Sequence, residues 1–204
     1  MGEVVNKRAT YADIEATPDH VVAELMDGAL VTHPRPAPRH SLAFMALSHQ
    51  LSGPFQFDED GPGGWVFMAE PELRLGENIL VPDLAAWRSH RMPVTPDTAT
   101  VDTPPDWVCE ILSASTEVRD RTTKMRIYGE AGVPFLWLLD PRQQMLETFE
   151  LRERRWVVMG GWTGNDTVSA APFDAIAFPL AKLWPLDRPL GLNEDPTPFY
   201  VGDR

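Results

Sequence analysis

The chain has 204 residues, 43% hydrophobic and 24% charged, a composition that supports a packed core and excludes a disordered or collagen-like chain. Its net charge of −12 argues against broad, non-specific affinity for duplex nucleic acid, which rests on neutralising phosphates, although a divalent metal would reset the field locally. One cysteine, Cys109, excludes an intrachain disulfide and fits a reducing cytosol. No stretch has the apolar length of a membrane span, and MGEVVNKRATYADIE has no apolar signal region, so a cytoplasmic protein with no membrane partner is expected.

In chain order, TYADIEATP (10–18) reads as a short helix. HVVAELMDGALVTH (20–33) reads as a hairpin turning at Asp27-Gly28, a pair suited to the positive φ angles of a tight turn. SLAFMALSHQLSG (41–53) has helical apolar spacing and is expected to stop at Gly53. Residues 63–87 read as strands with turns near Glu70-Pro71 and Gly76-Glu77-Asn78, followed by a polar, proline-containing loop at 88–105.

DWVCEIL (106–112) is a short strand, and STEVRDRTTKMRIYGEAG (115–132) a helix with Ser115 or Thr116 as N-cap and Gly132 as its stop. FLWLLD (135–140) is continuously apolar, as a central strand buried on both faces must be. MLETFEL and RRWVVMGGW read as antiparallel strands around Arg152-Glu153-Arg154. PLAKLW (179–184) reads as a short final helix. The fold class expected is α/β with a mixed central sheet. One domain spans 1–204, with its core at about 8–186 and a proline-rich, loosely held tail at 187–204.

Two carboxylates stand inside apolar strands. In DWVCEIL, alternation sets Trp107, Cys109 and Ile111 on one face and Val108, Glu110 and Leu112 on the other. In ILVPDLAAW (79–87), Asp83 opens a strand directly after Pro82. A buried carboxylate without a partner is costly. If the strands are neighbours, both acids face one pocket, where Mg²⁺ would accept one or two carboxylates and leave positions for phosphate oxygens. The plainer alternative is a turn aspartate and a glutamate paired with an arginine.

Asp120, Lys124 and Tyr128 recur every four residues along one helical face. They form either a surface Asp–Lys pair beside a packing tyrosine, or a lysine that reaches the two acids to orient an attacking water and offset charge on a phosphate. Glu24, in the middle of VVAELMDG, is either a further ligand or water anchor or an edge-strand acid facing solvent. His40, just before the helix at 41–53, reads as a helix cap ahead of the alternative, a phosphate contact. Ser113 and Ser115 lack a G-x-S-x-G elbow and also read as caps. Arg35, Arg39, Arg88, His90, Arg91, Arg119, Arg121, Lys124 and Arg126 either ring one face or are ordinary interspersed charge.

VPDLAAW, followed by PPDWVCEILSASTEVRDRTTKMRIYGEAGVPFLWLLDP, closely resembles the Uma-two family of restriction endonuclease-like proteins, within the PD-(D/E)XK nuclease superfamily. ELMDGALV, the PRH before the first long helix, and PLAKLW also fit. The likeness runs over roughly residues 8 to 186 and is most specific from 105 to 141. It implies a restriction-endonuclease-like α/β core and hydrolysis of phosphodiester bonds in nucleic acid, with DNA as the expected partner, dependent on Mg²⁺ (or Mn²⁺). Asp83 matches the acid of the PD motif, Glu110 the (D/E) position, and Glu24 an N-terminal acid; Asp83 and Glu110 would hold the metal. The superfamily lysine, two residues after the second acid, is replaced here by Leu112; members of this type carry it on the next helix, which points to Lys124.

Two other classes stay open: a catalytically silent binding module for nucleic acid or protein, and a metal-dependent hydrolase acting on something smaller than DNA. A homodimer through the exposed hairpin at 145–159 is a further expectation.

Overall fold

The computed structural model describes residues 8–34 and 36–186, so the expected tail at 187–204 lies outside the described residues. After helix α1 (Tyr11–Glu15), strands β1 (Val21–Met26) and β2 (Ala29–Pro34) form the expected hairpin around Asp27 and Gly28, both at positive φ. Strands β3 (Trp65–Ala69), β4 (Leu73–Leu75), β5 (Asn78–Leu80) and β6 (Leu84–Arg88) follow helix α2 (Pro38–Gln56). They split between two sheets, a partition the strand pattern alone did not reveal. β1 and β2 join β5 and β4 in a four-stranded sheet ordered β2-β1-β5-β4.

The larger sheet is mixed and six-stranded, ordered β10-β9-β8-β7-β6-β3, which agrees with the expected α/β class. β7 (Trp107–Ile111) and β8 (Phe135–Asp140) are its parallel pair, joined by the helical crossover between them. β9 (Met145–Arg152) and β10 (Arg155–Thr163) form the closing hairpin. A small pair, β11 (Thr167–Val168) and β12 (Phe178–Pro179), precedes a 3₁₀ turn at Leu180–Leu183, where a short helix was expected. Among the described residues no helix is long and apolar enough to cross a membrane.

α2 starts three residues earlier and ends three residues later than its expected 41–53 span. Pro38 suits the first turn of a helix, where its missing N–H would be unpaired anyway. At the other end Gly53 does not stop the helix, because the buried face Ala43, Leu47, Leu51 and Phe55 continues past it at steps of four. Pro54 loses one helical bond, yet Phe55 still reaches the core.

Alternation on β7 divides the core as expected. Trp107, Cys109 and Ile111 pack beneath α2, whereas Val108 and the following Leu112 face the smaller sheet and the crossover helix. On the α2 side, the Phe173 ring lies 4.8 Å from Phe55, 4.9 Å from Trp65, 5.1 Å from Trp107 and 5.7 Å from Trp137, in tilted and edge-on contacts. Phe173→Ala is expected to lower unfolding free energy by about 3–5 kcal/mol, read from urea denaturation.

Candidate active site

The crossover helix positions the centre of the site. It comprises α3 (Glu117–Arg119), a π-helical turn at Asp120–Lys124, and α4 (Met125–Glu130), where an uninterrupted α-helix from 115 to 132 was expected. It begins after Thr116 and ends before Gly132, at φ +78°. The π turn winds more residues per turn than an α-helix, so Asp120 and Lys124 do not stack as an α-helical i,i+4 pair would. Both are buried, which rules out the surface-pair reading.

Lys124 points inward and makes three contacts. Its Nζ lies 2.9 Å from Glu110 Oε1 and 3.0 Å from Glu24 Oε1, and donates to the Val81 carbonyl at 3.1 Å. An ammonium has three N–H donors, and these contacts occupy all of them. Glu24 is fully buried, so the solvent-facing reading of that residue is also excluded. Its Oε1 also accepts the Val81 N–H at 2.8 Å. Glu24 is absent from the cavity wall and sits behind Lys124 as an anchor.

Glu110 Oε1 accepts a second hydrogen bond, from the Tyr128 hydroxyl at 2.5 Å. Among the described residues no donor meets its Oε2. The antiparallel register Leu84↔Cys109 and Ala85↔Val108, carried one residue further, sets Asp83 opposite Glu110, so the two strands are neighbours as their acids required. Asp83 Oδ2 accepts the Ile111 N–H at 2.6 Å, and its Oδ1 lies 3.0 Å from His40 Nε2.

Asp83, Glu110, Asp120, Lys124 and His40 line one cavity of about 330 Å³, together with Ser113, Ser115 and Thr116. His40 was expected to cap α2; it lies inside the first turn and turns its ring to Asp83. His33, on β2, brings its Nε2 to 3.6 Å from Glu24 Oε2, longer than a hydrogen bond. Neither histidine has a local spacing signal. Each is placed by tertiary pairing, His33 because Val22↔His33 is two residues from Glu24 in the hairpin register.

The charges are unequal. Four carboxylates, Glu24, Asp83, Glu110 and Asp120, surround one ammonium. Burial pushes Glu24 up, but the Lys124 ammonium, the nearby His33 and the Val81 N–H outweigh it and hold Glu24 near 2. Burial pushes Glu110 well above the usual carboxylate range. Lys124 opposes that rise, while Asp120, Asp83 and Glu24 add to it. Burial lowers Lys124, but Glu110, Glu24 and Asp120 raise it further, so it stays an ammonium and is no proton acceptor. Burial also raises Asp120. His40 is lowered by burial and raised more strongly by Asp83.

These residues fit a hard divalent cation. The carboxylates outnumber their cations, Glu110 Oε2 has no donor, and all the acid groups are oxygen ligands. Among the described residues no group of three or more His, Cys, Asp or Glu side chains is arranged around a common metal position. A metal here would therefore rest on Asp83 and Glu110, with water or backbone oxygen completing its shell.

Several of the arginines are matched locally by carboxylates or rings. Arg88 stacks on Trp65 at 4.0 Å, Arg91 pairs with Asp106 at 2.6 Å, Arg121 pairs with Glu117 and Glu147, and Arg126 pairs with Asp27 at 2.6 Å and Glu130 at 2.9 Å. Arg35 lies outside the described residues.

The family model described as "Uma2: Putative restriction endonuclease" matches residues 8–181. The chain belongs to the Uma2 family. A solved structure, "Crystal structure of a putative nuclease belonging to DUF820 from Anabaena variabilis ATCC 29413 at 1.96 A resolution", superposes with a TM-score of 0.70 at 18% identity, over 85% of this chain and 95% of that one. At that identity the likeness is one of fold. No curated protein matches the chain.

Two outcomes follow from the buried charges. Lys124→Met leaves the carboxylates uncompensated and is expected to lower stability by about 3–5 kcal/mol in urea denaturation, with part recovered by adding Glu24→Gln. Glu24 is depressed on folding, so its stabilisation is complete above its ordinary value of 4.5 and is lost as pH falls toward 2. Glu24→Gln should therefore flatten the acid limb of a stability-versus-pH profile across that window.

Proposed function

We propose that this protein is a metal-dependent endonuclease that hydrolyses phosphodiester bonds in nucleic acid, with DNA as the substrate and Mg²⁺ or Mn²⁺ as the cofactor. The observation that carries the reading is the convergence of Asp83, Glu110 and Lys124 on one cavity wall, with Glu24 behind them, in a chain of the Uma2 family. The bound ion would supply Lewis acidity and a lowered pKa for its water.

The chain's own residues do the rest. Asp83 and Glu110 would hold the ion. Asp83 is fixed for this by the Ile111 N–H and His40, and Glu110 by Tyr128 and Lys124. Lys124 acts as a fixed positive charge: it stabilises negative charge developing on the phosphate and orients the carboxylate it touches. It does not abstract a proton. Glu24 is a positioning residue that keeps the ammonium in place.

The test is titration calorimetry with Mg²⁺ and Mn²⁺, paired with cleavage of end-labelled duplex DNA. Asp83→Asn and Glu110→Gln should each abolish metal binding and reduce cleavage by roughly 10²–10³-fold or more. Lys124→Arg should retain metal binding while losing most cleavage, because a planar guanidinium cannot replace a three-way ammonium contact. Metal binding and cleavage that survive in both carboxylate variants would defeat the proposal. A shallow salt dependence of DNA binding would shift the substrate to a smaller phosphodiester.

A further inference from the structure

We infer that the outer edge of β10 is a self-pairing surface through which two copies of this chain form a two-fold dimer with a continuous sheet. β10 is the last strand of the six-stranded sheet and, at nine residues, its longest. It pairs along one side only, with β9. Among the described residues no segment covers the other side. The edges at β3 and β4 are blunted: Phe67 on β3 donates its N–H to the Gln56 side chain at 2.6 Å, and Arg74 on β4 donates to the Val101 carbonyl at 3.0 Å.

The exposed edge has the composition of an interface. Val157, Val158 and Met159 are 36%, 66% and 43% exposed, and no charged residue stands between Arg155 and Asp166. β10 is also held firmly. Trp156 Nε1 donates to the Met125 carbonyl at 2.7 Å, so little ordering is needed before pairing.

The register favours a second copy over an unrelated partner. Arg152 and Arg155 flank the two-residue turn Glu153-Arg154, both turn residues at positive φ, and so form a hydrogen-bonded pair. Alternation then aims the N–H and C=O groups of Trp156 and Val158 outward. A two-fold axis at Val157 sets Trp156 of one copy against Val158 of the other, and the reverse, for four main-chain hydrogen bonds. That pairing lies just before the bulge between Val158 and Gly160. Arg154 and Arg155 then face the uncharged Gly160 and Met159 of the other copy, so like charges stay apart. The contact is small, so a weak dimer is expected, forming between micromolar and millimolar concentration.

Sedimentation equilibrium of the full chain tests this, alongside two variants on the 66%-exposed Val158. Val158→Pro deletes an outward N–H at a position where an edge strand tolerates proline; Val158→Lys puts a charge at the centre of the contact. Each should fold with an unchanged circular dichroism spectrum and weaken dimerisation at least tenfold. In the wild type, protection of the Trp156 and Val158 amides from exchange should rise with protein concentration. A wild type that stays monomeric to millimolar concentration overturns the inference. So does a dissociation constant unmoved in both folded variants, or amide protection that does not depend on concentration, which would mean that part of the same chain covers the edge.

Discussion

The structure turns on one ammonium ion held between two buried carboxylates. Lys124 lies on the crossover helix, Glu24 on the smaller sheet and Glu110 on the larger one. Three elements that also share one apolar cluster meet at a single nitrogen. The Val81 backbone joins them, giving its N–H to Glu24 and accepting from Lys124, and thereby fixes the chain two residues before Asp83. Removing any one charge leaves the others in a medium that cannot solvate them. The apolar cluster packs the two sheets together, and the Lys124 contacts tie both of them to the chain beside Asp83.

The same cluster is incompletely neutralised. Glu24, which also accepts the Val81 N–H, stays ionised at low pH, while burial pushes Glu110 toward its neutral form. A fold selected for stability alone would replace such a group with a well-packed apolar residue, because a buried pair seldom contributes net stability. Under the metal-dependent function proposed above, a surplus carboxylate at the cavity wall would instead hold a cation. The π turn belongs to the same logic. Widening the helix at Asp120–Lys124 turns Lys124 toward both acids, and such widenings recur where a side chain must be aimed for function.

Asp83 and Glu110 were legible in the sequence because period-two alternation on two short strands can be counted without knowing the fold. Lys124 was legible through its place on the helix after the Glu110 strand. Its exact aim was not, since an α-helical period does not contain a π turn. His40 and His33 carry no spacing signal. One is brought to Asp83 by the docking of α2, the other to Glu24 by hairpin register. Glu24 could be read as facing water or core because the four-stranded sheet that buries it depends on β5, a three-residue strand too short to announce its partner. The end of α2 was misjudged at Gly53 for a related reason: the buried contact of Phe55, two residues further on, outweighs a local stop signal.

Charge pairing over the surface bears on how an acidic chain can act on a polyanion. Arg91, Arg121 and Arg126 are each matched by carboxylates within ion-pair distance, which removes much of their long-range attraction for phosphate. Binding that relies on such a surface cannot be driven by a broad positive field and must come from contacts made at short range. The cavity offers these as the Lys124 charge, the Ser113, Ser115 and Thr116 hydroxyls, and carboxylates that a divalent cation would turn from repulsive to attractive. A substrate phosphate would then be held only when the cation is held. Affinity and reaction would depend on the same two acids, and an acidic surface would suppress retention of nucleic acid that does not reach the cavity.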